Sequence, residues 1–182
     1  ALEAHKLIEE MMVSANVCAA ETLEKHKSRL MYRVHDTPPE ERVKNLGDFL
    51  RPMGVNVSLG QTLLPHLFNS LMEQAKDTAH APSVSEAVLR TQAQAVYATD
   101  NLGHFGLNLG RYAHFTSPIR RYADLTVHRG LITALGFGKD GQTPEEAEQL
   151  DDIAEAISLT ERRAMVAERS ANERYMSAHI AN

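Results

Sequence analysis

Apolar residues recur every three or four positions along most of this chain, the spacing that lines one face of an α-helix. Over residues 2–27 the repeat runs through Ala4, Leu7/Ile8, Met11, Ala15, Cys18 and Thr22, predicting a helix with one buried stripe. Residues 30–35 carry the β-favouring Tyr32 and Val34 and read as a short strand or extended connector, ended by Asp36-Thr37-Pro38-Pro39. Four capping-box patterns then mark helix starts: Thr37 with Glu40, Ser58 with Gln61, Ser83 with Glu86, and Thr143 with Glu146. They predict helices over 37–51, over 58–77 with a kink at Pro65, over 83–99, and a long one from Thr143. In the long helix Leu150, Ile153, Ile157, Thr160, Ala164, Ala167 and Ala171 form the inner stripe. Residues 100–118, with Gly103, Gly106 and Gly110, break the rhythm and read as a loop with one or two short strands, delivered onto a helix that starts at Ser117. The glycine-rich 136–141 reads as a flexible connector and the first place to expect disorder. The pattern predicts a mainly α chain with one or two short β-strands.

At 182 residues the chain suits one compact domain. Its 43% hydrophobic and 24% charged residues are those of a globular protein. No apolar run approaches the roughly 20 residues a bilayer span needs, so no membrane role is expected. A single cysteine, Cys18, excludes a disulfide framework and a cysteine-built zinc site. It fits a reducing, cytoplasmic setting and reads as a small core residue. The formal charge of −5 argues against non-specific polyanion binding, so a nucleic-acid role needs a local basic site. Trp is absent, and base stacking is not the main device. The chain opens at Ala1 already in helical register, which reads as a piece of a longer protein.

The chemistry concentrates in YAHFTSPIRRYADLTVHR, residues 112–129. With Ser117 as N-cap and Pro118 next, Arg120 and Arg121 fall in a first helical turn, where cations are electrostatically disfavoured. Free N–H groups, two guanidinium groups and the hydroxyls of Thr116 and Ser117 would then converge on a spot suited to phosphate. The competing explanation is neutralisation by Asp100, Asp124 or a glutamate of another helix, and it weighs most for Arg121. Asp124 and His128 stand one helical turn apart, but no third ligand follows at metal spacing, so they read as structural and no metal site is assigned. His104 and His114 stand open between substrate contact and loop hydrogen bonding. Glu9 or Glu10 flanks the first stripe and Glu168 the last. Each reads as a solvated acid, or as one that orients a ribose hydroxyl or pairs with Arg120. No phosphate-cradling glycine loop is present.

HFGLNLGRYAHFTSPIRRYADLTVHRGL resembles the signature of the ribonuclease II and ribonuclease R family, exoribonucleases built on the RNB domain. AHKLIEEMMVSANVCAAETL, LMYRVHDTPPEERVKNLGDFL and AERSANERYMS are similar to further family segments, in the right order over nearly the whole chain. The histidine of YAHFTSP leans toward the bacterial ribonuclease R branch.

The resemblance implies the second half of an RNB domain. The cold-shock domains, the metal-binding aspartate half and the S1 domain would lie outside this chain. It implies processive 3′-to-5′ hydrolysis of single-stranded RNA to nucleoside 5′-monophosphates by a parent enzyme with two Mg²⁺ ions, held mainly elsewhere. Arg120 would contact the scissile phosphate as the catalytic residue. Glu10, Tyr112, Thr116, Ser117, Arg121 and Glu168 would bind RNA. Alone, the chain is expected to be inactive and to self-associate through the face left bare. The alternatives are a non-catalytic phosphate- or RNA-binding helical module, and a scaffold whose arginines form internal salt bridges.

Overall fold

The computed structural model describes residues 2–56 and 65–180. In chain order these form α1 (Glu3–Lys25), β1 (Tyr32–Val34), α2 (Glu40–Leu50), α3 (Pro65–Ala75), α4 (Ala81–Thr91), β2 (Val96–Ala98), α5 (Tyr122–Leu135), α6 (Pro144–Glu148) and α7 (Leu150–Ile180). Short 3-10 turns lie at Arg51–Met53 and Phe105–Leu107, and β1 pairs with β2. The expected mainly α fold with short strands is the fold observed. The chain divides into two compact units, one of residues 1–33, 96–101 and 113–182, the other of 34–95 and 102–112.

In the first unit Met31, Tyr97, Ala123, Leu150 and Ala154 form a core against which Ile153 and Ile157 pack. Strand β2 lies along α7, and the Tyr97 N–H donates to Ser158 Oγ at 3.0 Å. Arg33 stands 4.5 Å over the Tyr97 ring and forks Glu161 at 2.7 and 3.1 Å. The predicted stripe of α7 therefore holds at Leu150, Ile153 and Ile157, but Thr160, Ala164, Ala167 and Ala171 are exposed. The Thr143–Glu146 box forms in both directions with Pro144 in the first turn, yet the helix breaks at Gln149 into α6 and α7. The 136–141 connector is tied down rather than loose. Gly136 adopts a left-handed φ of +67°, the Arg129 guanidinium donates to the Gly141 carbonyl, and the Gln142 N–H donates to the Arg129 carbonyl.

Helix α1 buries a face one position away from the predicted stripe: Asn16, Ala19, Ala20 and Leu23 are inside, where α1 packs on α5. Leu7, Ile8 and Met11 are exposed, and so is Cys18, which is not a core residue. Small alanines made the true contact face nearly silent in a hydrophobic pattern.

The second unit packs Val43, Leu46, Leu50, Val55, Phe68, Leu71, Ala75, Val84 and Val88 together. Helix α2 starts at Glu40, not Thr37, because Pro39 bars helical geometry at Pro38; the Thr37 N–H instead meets Asp36 Oδ1. Helix α4 starts at Ala81, which places Ser83 inside it, and stops at Thr91, so 96–98 is a strand rather than helix. The predicted start at Ser58 and Gln61 lies outside the described residues.

His35 secures the glycine loop in this unit. Its N–H donates to the Gly103 carbonyl, its own carbonyl accepts the Phe105 N–H, and its Nδ1 accepts the Gly106 N–H at 2.9 Å. A Cβ on Gly106 would stand 2.6 Å from that ring nitrogen. Gly106→Ala is expected to destabilise the fold by about 1–3 kcal/mol in urea unfolding. In a His35→Ala background the same change is expected to add little; a full additive loss would contradict the clash.

Candidate functional site

Residues 113–117 have no regular structure, and buried backbone without a ladder needs other partners. Side chains supply them. Ala113 is fully buried. His114 Nδ1 lies 3.0 Å from the Tyr97 hydroxyl, the two rings edge-on. Burial pushes the Tyr97 phenol up despite the opposing Arg33 charge, so it stays protonated at this contact. The Phe115 N–H donates to Asn16 Oδ1 at 2.9 Å. The Phe115 carbonyl lies 2.8 Å from His128 Nε2, which donates to it, and the two rings stack with centroids 4.3 Å apart.

The next contact decides how the two arginines differ. The Ser117 N–H donates to Asp124 Oδ1 at 2.7 Å, and the Arg121 guanidinium forks the same carboxylate at 2.7 and 2.8 Å. Asp124 is 0% exposed. Burial alone would raise its carboxyl, but the Arg121 fork, the Ser117 N–H and the positive charge around it hold it below its ordinary value.

Ser117 is therefore not the N-cap of α5. Its carbonyl accepts the N–H groups of Arg120 and Arg121 in a single turn, Arg121 is extended at φ −126°, and the helix begins at Tyr122. An internal anion is built into this corner: Asp124 accepts from Arg121 and from the Ser117 N–H. Of the candidate neutralisers, Asp124 acts, and it acts on Arg121. Arg120 rides the exposed crest of the turn beside a fully exposed Ile119, and its guanidinium has no bond or ion pair among the described residues.

The other predicted site residues are spread more widely. Thr116 is partly buried, its hydroxyl oxygen sealed from solvent with no hydrogen-bond partner among the described residues. Glu10 and Glu168 are exposed on α1 and α7, and neither pairs with Arg120. Tyr112 belongs to the second unit, buried and edge-on to His104 at 5.2 Å. His104 Nδ1 accepts the Leu107 N–H and so shapes the loop. Asp124 and His128 are both occupied by structural bonds. Among the described residues no three His, Cys, Asp or Glu side chains gather to hold a metal ion. Asp151 is bonded by Thr99 and by Arg29. Sequence reasoning missed Asn16 and Tyr97; the available signal for Asn16 was a polar residue in register with Ala19, Ala20 and Leu23.

The sequence profile of the RNB domain matches residues 1–136. The chain belongs to the RNB domain family. It is 41% identical to ribonuclease R of Vibrio cholerae over 98% of its own length and 23% of that protein. It is similar in structure to Mycoplasma genitalium RNase R in complex with ribose-methylated single-stranded RNA. The TM-score is 0.84 at 34% identity, covering 93% of this chain and 27% of that one. Yeast Ssd1, described as a pseudonuclease, matches at TM-score 0.68 and 26% identity over 82% of this chain and 18% of that one. The chain thus spans about a quarter of the length of the ribonuclease R proteins it matches.

Removing the buried Asp124 carboxylate takes the fork from the partly buried Arg121 guanidinium and the acceptor from the Ser117 N–H, and Asp124→Ala is expected to cost about 3–5 kcal/mol. Because its folded value is lowered, the carboxylate's contribution is complete above the unfolded value of about 3.9 and fades as pH falls through the lower folded value. Urea midpoints measured from pH 6 to 2 are therefore expected to fall less steeply for Asp124→Asn than for the parent. Equal slopes would contradict the assignment.

Proposed function

We propose that this chain is the helical part of a 3′-to-5′ exoribonuclease domain that presents Arg120 to the scissile phosphate of single-stranded RNA. The observation that carries the reading is the division of labour between neighbouring arginines. Arg121 is consumed by Asp124, while Arg120 is exposed with its guanidinium unengaged by the described residues. A planar guanidinium donates two parallel hydrogen bonds to a phosphate and stabilises charge that builds on its oxygens during cleavage. Membership of the RNB family and the likeness to an RNase R bound to single-stranded RNA support the substrate class.

In this reading Arg121 acts through the fold, setting the turn rather than touching RNA with a free charge. Thr116 and Ser117 flank the path on the same turn, Glu10 and Glu168 contribute from α1 and α7, and Tyr112 is proposed to contact RNA within its own unit. The Mg²⁺ ions that such an enzyme uses would activate water and stabilise the leaving oxygen when bound. The described residues offer no set to hold them, so the chain alone is proposed to be inactive. A lone, unpaired cysteine agrees with a cytoplasmic setting. The described residues include no helix long and apolar enough to cross a membrane. Leu7, Ile8 and Met11 on α1, with Met165, Val166 and Met176 on α7, give the isolated chain apolar surface through which to self-associate.

The second reading, a module that grips RNA without cutting it, draws on the likeness to the pseudonuclease Ssd1. Cleavage of end-labelled single-stranded RNA by the full-length protein separates the two. Arg120→Ala is expected to lower kcat about 10²- to 10³-fold. Arg121→Ala is expected to lower the melting temperature as its main effect. A full-length protein that binds RNA and releases no mononucleotide would favour the module; equal, negligible effects of both substitutions would favour a scaffold.

A further inference from the structure

We propose that Asn16 and His128 are positioning residues for Arg120, together fixing Phe115 and through it the turn that presents the guanidinium. The proposal rests on the reading of Arg120 given above. A side chain with no partner of its own has its aim set by the backbone beneath it, and Arg120 is such a side chain among the described residues. Its backbone N–H bonds to the Ser117 carbonyl, and Ser117 follows Phe115 by two residues.

Phe115 is gripped at three points. Asn16 takes its N–H, His128 Nε2 gives to its carbonyl, and the His128 ring lies flat against its ring with only 10° between the planes. In a sheet the first two of these would come from a neighbouring strand. Here they come from side chains of α1 and α5, two helices packed on each other. Asn16 is 3% exposed on a face otherwise made of Ala19, Ala20 and Leu23. A buried amide on an apolar face is unfavourable unless bonded, so its presence there points to the backbone it serves. The stabilising grip thus reaches from two helices to Phe115, then to Ser117, then to the Arg120 turn. Misplacing a reacting group by about 1 Å can cost on the order of 10²-fold in rate.

The test is a double-mutant cycle on the full-length protein, read as kcat and KM on single-stranded RNA. His128→Phe keeps a stacking ring and removes the donor; His128→Gln restores an N–H donor. His128→Phe is expected to lower kcat about 10- to 100-fold with KM within about twofold, and His128→Gln to recover much of the loss. In an Arg120→Ala background His128→Phe is expected to have no further effect on kcat. The same factor lost in both backgrounds would overturn the positioning role. Full activity of Arg120→Ala alone would instead overturn the reading of Arg120 on which it rests. If His128→Phe fails to fold, Asn16→Leu against Asn16→Asp, which keeps an accepting oxygen, runs the same cycle with the same deciding outcomes.

Discussion

One buried carboxylate organises the corner of this chain where residues 113–117 meet α5. Asp124 is wholly enclosed, and an unpaired charge in that position would be strongly unfavourable. It is tolerated because it accepts the Ser117 N–H and both arms of the Arg121 fork. That single group ends the extended segment, delays the start of α5 to Tyr122, and separates two adjacent arginines into an internal partner and an outward-facing cation. In the proposed reading the basic site anticipated from an acidic chain is narrow, resting on the Arg120 guanidinium.

A second theme recurs in both units. Where backbone leaves regular structure, individual polar side chains take over the pairing: Asn16, His128 and Asp124 along 115–117, and the His35 ring at Gly106. Each such bond is worth about 0.5–1.5 kcal/mol net, but an orphaned buried partner costs more than a satisfied one contributes. The arrangement favours geometry over raw stability. It also explains why the histidines of the irregular segment are absorbed into structure: His104 closes a 3-10 turn and His114 meets a buried phenol.

Much of this was readable before any coordinates. The helical class and the Thr143–Glu146 box both follow from spacing and turn chemistry. What spacing could not resolve was contact. Asp124 lies three residues from Arg121 and four from His128, so its partner was undetermined until the Ser117 turn placed it. The α1 face was misjudged because Leu7, Ile8 and Met11 outweigh alanines in any hydrophobic pattern, while the packing against α5 uses Ala19, Ala20 and Leu23. Val96-Tyr97-Ala98 read as the tail of a helix because its pairing with β1 and its bond to Ser158 are long-range.

The central claim is that Arg120 meets RNA and Arg121 does not. Guanidinium ¹⁵Nε resonances of the two residues, followed in the full-length protein as non-cleavable single-stranded RNA is added, measure this directly. The account predicts that the Arg120 signal shifts and saturates with binding while the Arg121 signal stays where the Asp124 fork holds it. A shift at Arg121 with Arg120 unmoved would contradict it.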